Sequence, residues 1–200
     1  MSIYRISPSP NFGTGEILYE SWEDGFTSEE CDRIIRYGES LNPHDSVVGQ
    51  DEESHEVETS IRKSKNSWIE LNDDTEWLYD RLGNILRCMN GMYWRFDIHG
   101  FHEHLQYTVY NDDDSFYRWH VDNMILGEMP PRKLSMTVQL SDPDDYDGGE
   151  LQLHNGVIQT AANDRGIVTV FPSYVVHRVR PVTRGTRRSL VVWANGPGFR

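Results

Sequence analysis

From Ile167 to Trp193 the chain reads Ile-Val-Thr-Val-Phe, Pro-Ser-Tyr, Val-Val-His-Arg-Val-Arg-Pro-Val, Thr-Arg-Gly-Thr and Arg-Arg-Ser-Leu-Val-Val-Trp. Three runs rich in β-branched and aromatic residues stand between breaks marked by Pro172-Ser173 and Arg184-Gly185. Consecutive antiparallel strands have this appearance. Upstream the same rhythm recurs in Tyr93 to Ile98, His104 to Tyr110, Phe116 to Val121, Leu134 to Leu140 and Glu150 to Leu153. Asn111-Asp-Asp-Asp114, Asp147-Gly-Gly149 and Asn163-Asp-Arg-Gly166 supply the turns, and the whole predicts an antiparallel sandwich or barrel.

Before Tyr93 the period changes. Thr27, with Glu30 three residues later, forms a capping box; Phe26 and Cys31 are spaced as a hydrophobic staple, and Ile34, Ile35 and Leu41 continue an apolar stripe. A second helix is predicted from about Asp74 to Asn90, where Trp77, Leu78, Leu82, Ile85, Leu86 and Met89 recur at helical spacing and Asn90-Gly91 suits a left-handed stop. Between the helices, Asp45 to Glu58 is acidic and turn-rich, which predicts a surface loop rather than a core element, with a lid as an open alternative that the sequence does not decide. The fold class is therefore α+β, a double-sheet jelly roll (double-stranded β-helix) with N-terminal helices packed on one sheet. At 200 residues one domain is expected, with a helical part over 1–92 and a jelly-roll core over 93–200.

Composition narrows the function. A formal net charge of −13 offers no general basic surface, so a nucleic-acid partner is not expected. No run approaches about 18 consecutive apolar residues and Met1 to Gly15 lacks an apolar signal core, so neither a membrane partner nor export is expected. Cys31 and Cys88 lack the spacing of a disulfide framework and read as reduced thiols of a cytoplasmic protein.

The chemistry-bearing residues lie in the strand region. His120-Val-Asp122 puts an imidazole and a carboxylate on one face of a strand, because residues two apart project to the same side. Alone this is weak, since 8 histidines and 17 aspartates in 200 residues give about 0.7 such pairs by chance. A third ligand from a distant strand would make it a two-His, one-carboxylate facial triad for non-haem Fe(II), with the opposite coordination face open to O2. His177, placed after an apolar strand and the Pro-Ser turn, meets that need; His154, His102 and His104 are the alternatives, each read first as an ordinary sheet histidine. Arg187 is a permanent planar cation that is costly to bury without an anionic ligand, and a dicarboxylate supplies one. Alternation sets Arg187, Ser189, Val191 and Trp193 on one face and Arg188, Leu190 and Val192 on the other, without saying which faces inward.

Trp119-His-Val-Asp-Asn123, Leu140-Ser-Asp-Pro-Asp-Asp-Tyr-Asp-Gly-Gly-Glu-Leu151, Val170-Phe-Pro-Ser173, His177-Arg-Val-Arg-Pro-Val182 and Arg187 to Trp193 together resemble the prolyl-hydroxylase-like 2-oxoglutarate- and Fe(II)-dependent dioxygenases. The resemblance spans Leu105 to Trp193. It implies His120, Asp122 and His177 as iron ligands and catalytic residues, and Arg187 as the anchor for the distal carboxylate of 2-oxoglutarate. Arg187 is favoured over Arg188 by its place about ten residues after the second His and six before a Trp. Tyr110 matches a pocket tyrosine, whereas Gln139 stands where relatives often carry a tyrosine that helps hold the co-substrate. The collagen-type branch uses Lys as anchor, so collagen-like substrates lose weight. The implied cofactors are Fe(II), 2-oxoglutarate and O2, with ascorbate as a reductant, and the implied reaction forms succinate and CO2. Asp122 predicts hydroxylation, because halogenating relatives lack that carboxylate.

The expected substrate is a prolyl or other residue in a peptide or protein. The alternatives are a free amino acid or small molecule and, in another class, a catalytically silent jelly roll that binds a metal, sugar or protein partner. Asp112 to Asp114 and Asp142 to Asp147 either ring the pocket mouth and attract a cationic peptide or are solvated loop charges, the second being the stronger reading. Tyr117, Trp119 and Trp94 are candidates to stack on a proline ring or to fill the core.

Overall fold

The computed structural model describes residues 17–46, 60–123 and 129–198. The elements in chain order are β1 (Glu20–Trp22), α1 (Ser28–Ser40), β2 (His44–Asp45), β3 (Arg62–Lys63), β4 (Lys65–Ile69) and α2 (Glu76–Met89). There follow β5 (Leu105–Asn111), β6 (Phe116–His120), β7 (Arg132–Gln139), β8 (Tyr146–Gly148), β9 (Leu151–His154), β10 (Ile158–Thr160), β11 (Val168–Pro172), β12 (Val176–Val179) and β13 (Val182–Asn195). The larger sheet runs β1-β11-β7-β13-β5-β4-β2, with β8 paired to the start of β13; the smaller runs β10-β9-β12-β6-β3. Every pairing is antiparallel, and side chains of both sheets meet at one cavity, the double-stranded β-helix expected from the turn rhythm.

The helices form for the reasons read in the sequence. Thr27 Oγ1 accepts from the Glu30 N–H at 3.2 Å and Glu30 Oε2 accepts from the Thr27 N–H at 2.9 Å, so two of the unpaired donors at the start of α1 are satisfied. Phe26 and Cys31 are both buried beside that cap. Leu82, Ile85, Leu86 and Met89 of α2 join Ile34 of α1 over Leu105, Met136, Val138, Val170, Leu190 and Val192 of the larger sheet, forming the main core on its outer face. Gly38 permits close approach: a Cβ there would sit 2.4 Å from Cγ of the Tyr107 ring. At about 25 cal/mol per Å² of apolar surface removed from water, this helix-on-sheet contact stabilises the fold, and its cluster holds most of the buried apolar side chains among the described residues.

Three expectations change. The N-terminal part is not only helical: β1 and β4 extend the larger sheet and β3 extends the smaller. At two to five residues these strands are too short for alternation to register. Asn90-Gly91 does not stop α2. The chain passes into a π turn, Asn90–Trp94, and the left-handed residue is Arg95 with φ 56°. The Asn90 side chain holds this turn, donating to the Phe96 carbonyl and accepting from its N–H, both at 2.9 Å. Consequently Tyr93 to Ile98 is not a strand, and Trp94, Phe96 and Ile98 pack on the core from irregular backbone. Of the expected surface loop Asp45 to Glu58, Asp45 pairs with Lys65 of β4, while 47–58 lie outside the described residues, as does Met1 to Gly15. Among the described residues no helix is long and apolar enough to cross a membrane.

Candidate metal and co-substrate site

β6 and β12 are neighbours, and their register sets His177 opposite His120. The chain turns away from β6 directly after His120, with the Asp122 N–H bonded to the Ser173 carbonyl at 2.8 Å. His120, Asp122 and His177 thereby converge, each offering a ligand atom within 4.8 Å of the others, and among the described residues this is the single such group of three. His120 Nε2 lies 3.7 Å from Asp122 Oδ1, and His177 Nε2 lies 3.4 Å from Asp122 Oδ2.

Both imidazoles are held in the tautomer that a metal requires. His120 Nδ1 is bonded to the Arg118 carbonyl at 2.7 Å and His177 Nδ1 to the Val175 carbonyl at 2.9 Å. A carbonyl only accepts, so each Nδ1 carries hydrogen and each Nε2 lone pair faces the cluster. Ser135 Oγ donates to Asp122 Oδ2 at 2.7 Å and contacts Ser173 Oγ at 3.0 Å, fixing the carboxylate. Tyr117 stacks on His120 with ring centroids 3.5 Å apart.

Electrostatics match this geometry. Burial, with the neighbouring His177, pushes His120 down to about 4, against the opposing pull of Asp122, so the ring is neutral at physiological pH. Burial pushes the Asp122 carboxyl up, but the two imidazoles together with Trp193 and Ser135 outweigh it and leave the group below its usual range. A buried carboxylate facing two imidazole nitrogens is the donor set of a divalent transition metal, and the residues fit Fe(II).

The cavity beside this cluster has a volume of about 360 Å³. The inward face of β13 is now decided: Arg187, Ser189, Val191 and Trp193 line the cavity, while Leu190 and Val192 enter the helix-side core and Arg188 pairs with Glu39 at 2.8 Å. Arg187 is only 4% exposed. It lies with its Cζ 5.6 Å from the centroid of Tyr110, which also lines the cavity. Gln139 is buried beside a second, small cavity of about 10 Å³ that it shares with Arg187, and its amide bonds Ser141 O and Tyr146 Oη.

Other candidates are placed apart from the cluster. His154 is exposed and faces Trp119, 5.8 Å between centroids; His104 is exposed beside Glu70; His102 is not part of the group. Tyr117 lines the cavity, whereas Trp119 is 37% exposed beneath Arg178 and Trp94 donates to the Ile17 carbonyl. Neither acidic loop lines the cavity. Asp113 is bonded by Lys63 and Ser115, and Asp147 pairs with Arg184 at 2.6 Å.

Sequence reading missed several cavity residues. Arg132 stacks 3.7 Å from the Trp193 ring centroid and forms a two-pronged pair with Glu103. Arg62 is buried and bonds Ser64, Asn66 and Gln106. Arg62 and Glu103 carry no local pattern, because a two-residue strand and an irregular loop bring them to the cavity; Trp193 served only as a spacing marker.

Residues 105–195 match the family model described as the 2OG-Fe(II) oxygenase superfamily. A PKHD-type hydroxylase of Teredinibacter turnerae is 41% identical over 83 residues, 38% of this chain and 36% of the relative; one of Xanthomonas axonopodis pv. citri is 38% identical over 96 residues, 44% and 42% respectively. The chain thus spans little more than a third of the length of the curated relatives it matches. Among solved structures, a Pseudomonas putida prolyl-4-hydroxylase superimposes with a TM-score of 0.69 at 19% identity, covering 90% of this chain and 93% of the other. A Trichoplax adhaerens prolyl hydroxylase, solved with a hypoxia inducible factor oxygen degradation domain peptide fragment, gives 0.70 at 16%, covering 89% and 83%. At these identities the likeness establishes the fold. Over the segment that carries His120, Asp122, His177 and Arg187, the chain therefore matches the 2OG-Fe(II) oxygenase superfamily, is similar in sequence to PKHD-type hydroxylases and shares the fold of the prolyl hydroxylases.

Proposed function

We propose that the chain is a single catalytic domain that hydroxylates a C–H bond of a prolyl or other residue in a peptide or protein, consuming O2 and 2-oxoglutarate and releasing succinate and CO2. One observation carries the reading. Two imidazoles and one carboxylate, their ligand atoms gathered on one point, share a cavity with a buried arginine for which the described residues provide no carboxylate partner. The names of the PKHD-type relatives and the peptide bound to the Trichoplax enzyme support the substrate class.

In this reading His120, Asp122 and His177 hold Fe(II), which when bound supplies O2 activation coupled to oxidation of the 2-oxo acid. The remaining work belongs to the protein. The Arg118 and Val175 carbonyls keep both imidazoles in the donor tautomer, and Ser135 keeps Asp122 aimed. Arg187 grips the distal carboxylate of 2-oxoglutarate by paired hydrogen bonds, with Tyr110 packed over the guanidinium. Trp193, braced by Arg132, and Tyr117 give the cavity two aromatic walls that orient an apolar ring and exclude water. Ascorbate is assigned as the reductant that maintains the ferrous state. The two cysteines are free, in keeping with a reducing compartment, and the activity is assigned to the cytoplasm.

A second reading keeps the chemistry and changes the substrate to a free amino acid or other small molecule. Arg62 favours it, since its buried guanidinium borders the same cavity and its side-chain bonds go to neutral groups. A succinate-release screen over proline-containing peptides and free amino acids, with mass spectrometry for one added oxygen, decides between them. His120→Ala is the control. No succinate and no bound 2-oxoglutarate under any condition would leave the chain a silent jelly roll.

A further inference from the structure

We infer that Arg62 receives a carboxylate of the substrate, so that the enzyme selects an acid over the corresponding amide. The inference deepens the reading proposed above and rests on this cavity being the site of hydroxylation.

Arg62 is 7% exposed and lines the large cavity together with His120, Asp122 and His177. A guanidinium is permanently charged and carries five N–H donors but no acceptor. Here Nε donates to Ser64 Oγ at 2.7 Å, and Nη2 gives its hydrogens to Asn66 Oδ1 at 2.8 Å and Gln106 Oε1 at 3.0 Å. Among the described residues Nη1 donates to nothing. The acceptors are all neutral, so they fix the side chain without offsetting its charge. A cation buried this way is costly until an anion meets it.

The acidic side chains of the cavity are engaged elsewhere. Glu103 forms the two-pronged pair with Arg132, and Asp122 accepts from Ser135 within the metal cluster. The lining thus holds three guanidinium groups, Arg62, Arg132 and Arg187, against two carboxylates. With Fe(II) and 2-oxoglutarate bound, the metal is balanced by Asp122 and one co-substrate carboxylate, and Arg187 by the other. Glu103 balances Arg132. One positive charge is left over, on Arg62, and a single carboxylate from the substrate matches it.

Strand register separates this place from the co-substrate anchor. Arg187 stands opposite Tyr110 on β5, whereas Arg62 bonds Gln106 of the same strand, roughly 13 Å away at about 3.3 Å per residue. Arg62 lies instead close to the metal cluster. Its Cζ is 4.8 Å from the centroid of Tyr117, whose ring stacks on His120 at 3.5 Å. A carboxylate held by Nη1 keeps the carbon chain it carries beside the candidate iron ligands, which makes Arg62 a binding residue that sets specificity. Two sources supply such a group: the α-carboxylate of a free amino acid and an acidic residue of a peptide.

The test is isothermal titration calorimetry on full-length chain loaded with Mn(II) and 2-oxoglutarate, comparing wild type with Arg62→Gln and Arg62→Lys. Matched probes separate the sources: L-proline against L-prolinamide, and acetyl-prolyl-aspartyl amide against acetyl-prolyl-asparaginyl amide. Wild type is expected to bind the acid at least about tenfold tighter than its amide in one pair or the other. Arg62→Gln should bind both members alike, and Arg62→Lys should keep part of the preference, having the charge without the planar donor set. A preference within a pair is not imitated by partial unfolding, and thermal melts check that the variants fold. Absence of any acid preference in wild type, or of binding by every probe, would overturn the inference, as would a preference that survives Arg62→Gln. Weakened 2-oxoglutarate binding by Mn(II)-loaded Arg62→Gln would overturn it too, by making Arg62 part of the co-substrate site. Failure of Mn(II)-loaded wild type to bind 2-oxoglutarate at all would instead overturn the hydroxylase reading underneath it.

Discussion

The two sheets of the barrel differ in what covers them. The larger is covered on both faces, by the two helices outside and the cavity inside, and most residues of β5 and β7 are buried. The smaller holds His120 and His177 inward but shows solvent Trp119, Ile158 and Val176 on its outer face. Stability is therefore concentrated in the larger sheet and its helices, while the candidate ligands His120 and His177 are mounted on the smaller, with Asp122 just beyond the end of β6. A site built this way tolerates the buried polar groups it needs, because packing elsewhere offsets their cost.

This contrast can be broken in order of effect. Replacing His177 with Ala is expected to cut succinate release by at least about 100-fold, beyond the usual cost of losing a group that only orients a ligand. In the same variant, thermal melts with a chelator should stay near wild type, and the rise in melting temperature that Mn(II) produces in wild type should vanish. A large loss of metal-free stability would show that the smaller sheet carries part of the core. Leu82→Ala, fully buried on α2, is expected to cost about 2–5 kcal/mol in urea unfolding, with metal affinity retained. Thr27→Ala, which removes half of the capping box, should cost about 1 kcal/mol by the same measurement. Val176→Thr, at 36% exposure on the outer face, should change stability by under about 0.5 kcal/mol.

A chemical probe sharpens the comparison further. Burial raises the Cys31 thiol to about 11, whereas Cys88 is exposed, so iodoacetamide at neutral pH should label Cys88 and spare Cys31 in the folded chain. Because the folded value stands above the ordinary 9.0, the contribution of Cys31 to stability is complete below about pH 9 and is lost as pH rises toward 11. Urea unfolding midpoints across that window, in wild type and Cys31→Ala, measure it. A flat difference between the two would refute the shift.

Much of the fold was legible because it rests on local rules. The capping box at Thr27, the apolar spacing of α2 and the turn residues between β5 and β13 each act within a few positions. The misreadings came from elements without enough length to show a period, such as β3, or with a competing side-chain bond, such as the π turn held by Asn90. The site divides in the same way. His120 and Asp122 were visible as a pair on one strand, and His177 as a candidate among four histidines; the register between β6 and β12 is what sets His177 opposite His120.

By itself the sequence determined the two helices, the longer strands from Leu105 onward and the turns between them, and which residues have the chemistry to hold a metal and a diacid, since these depend on side-chain type and spacing along the chain. The tertiary structure alone decided which face of β13 turns to the cavity, placing there the Arg187 that the family resemblance favoured, that Arg62, Glu103 and Arg132 reach it, and that Tyr146 comes to rest against Gln139. The reason is physical: the inward face of a strand is chosen by what the opposite face buries, and here Leu190 and Val192 go to the helices, leaving the charged residue to the barrel.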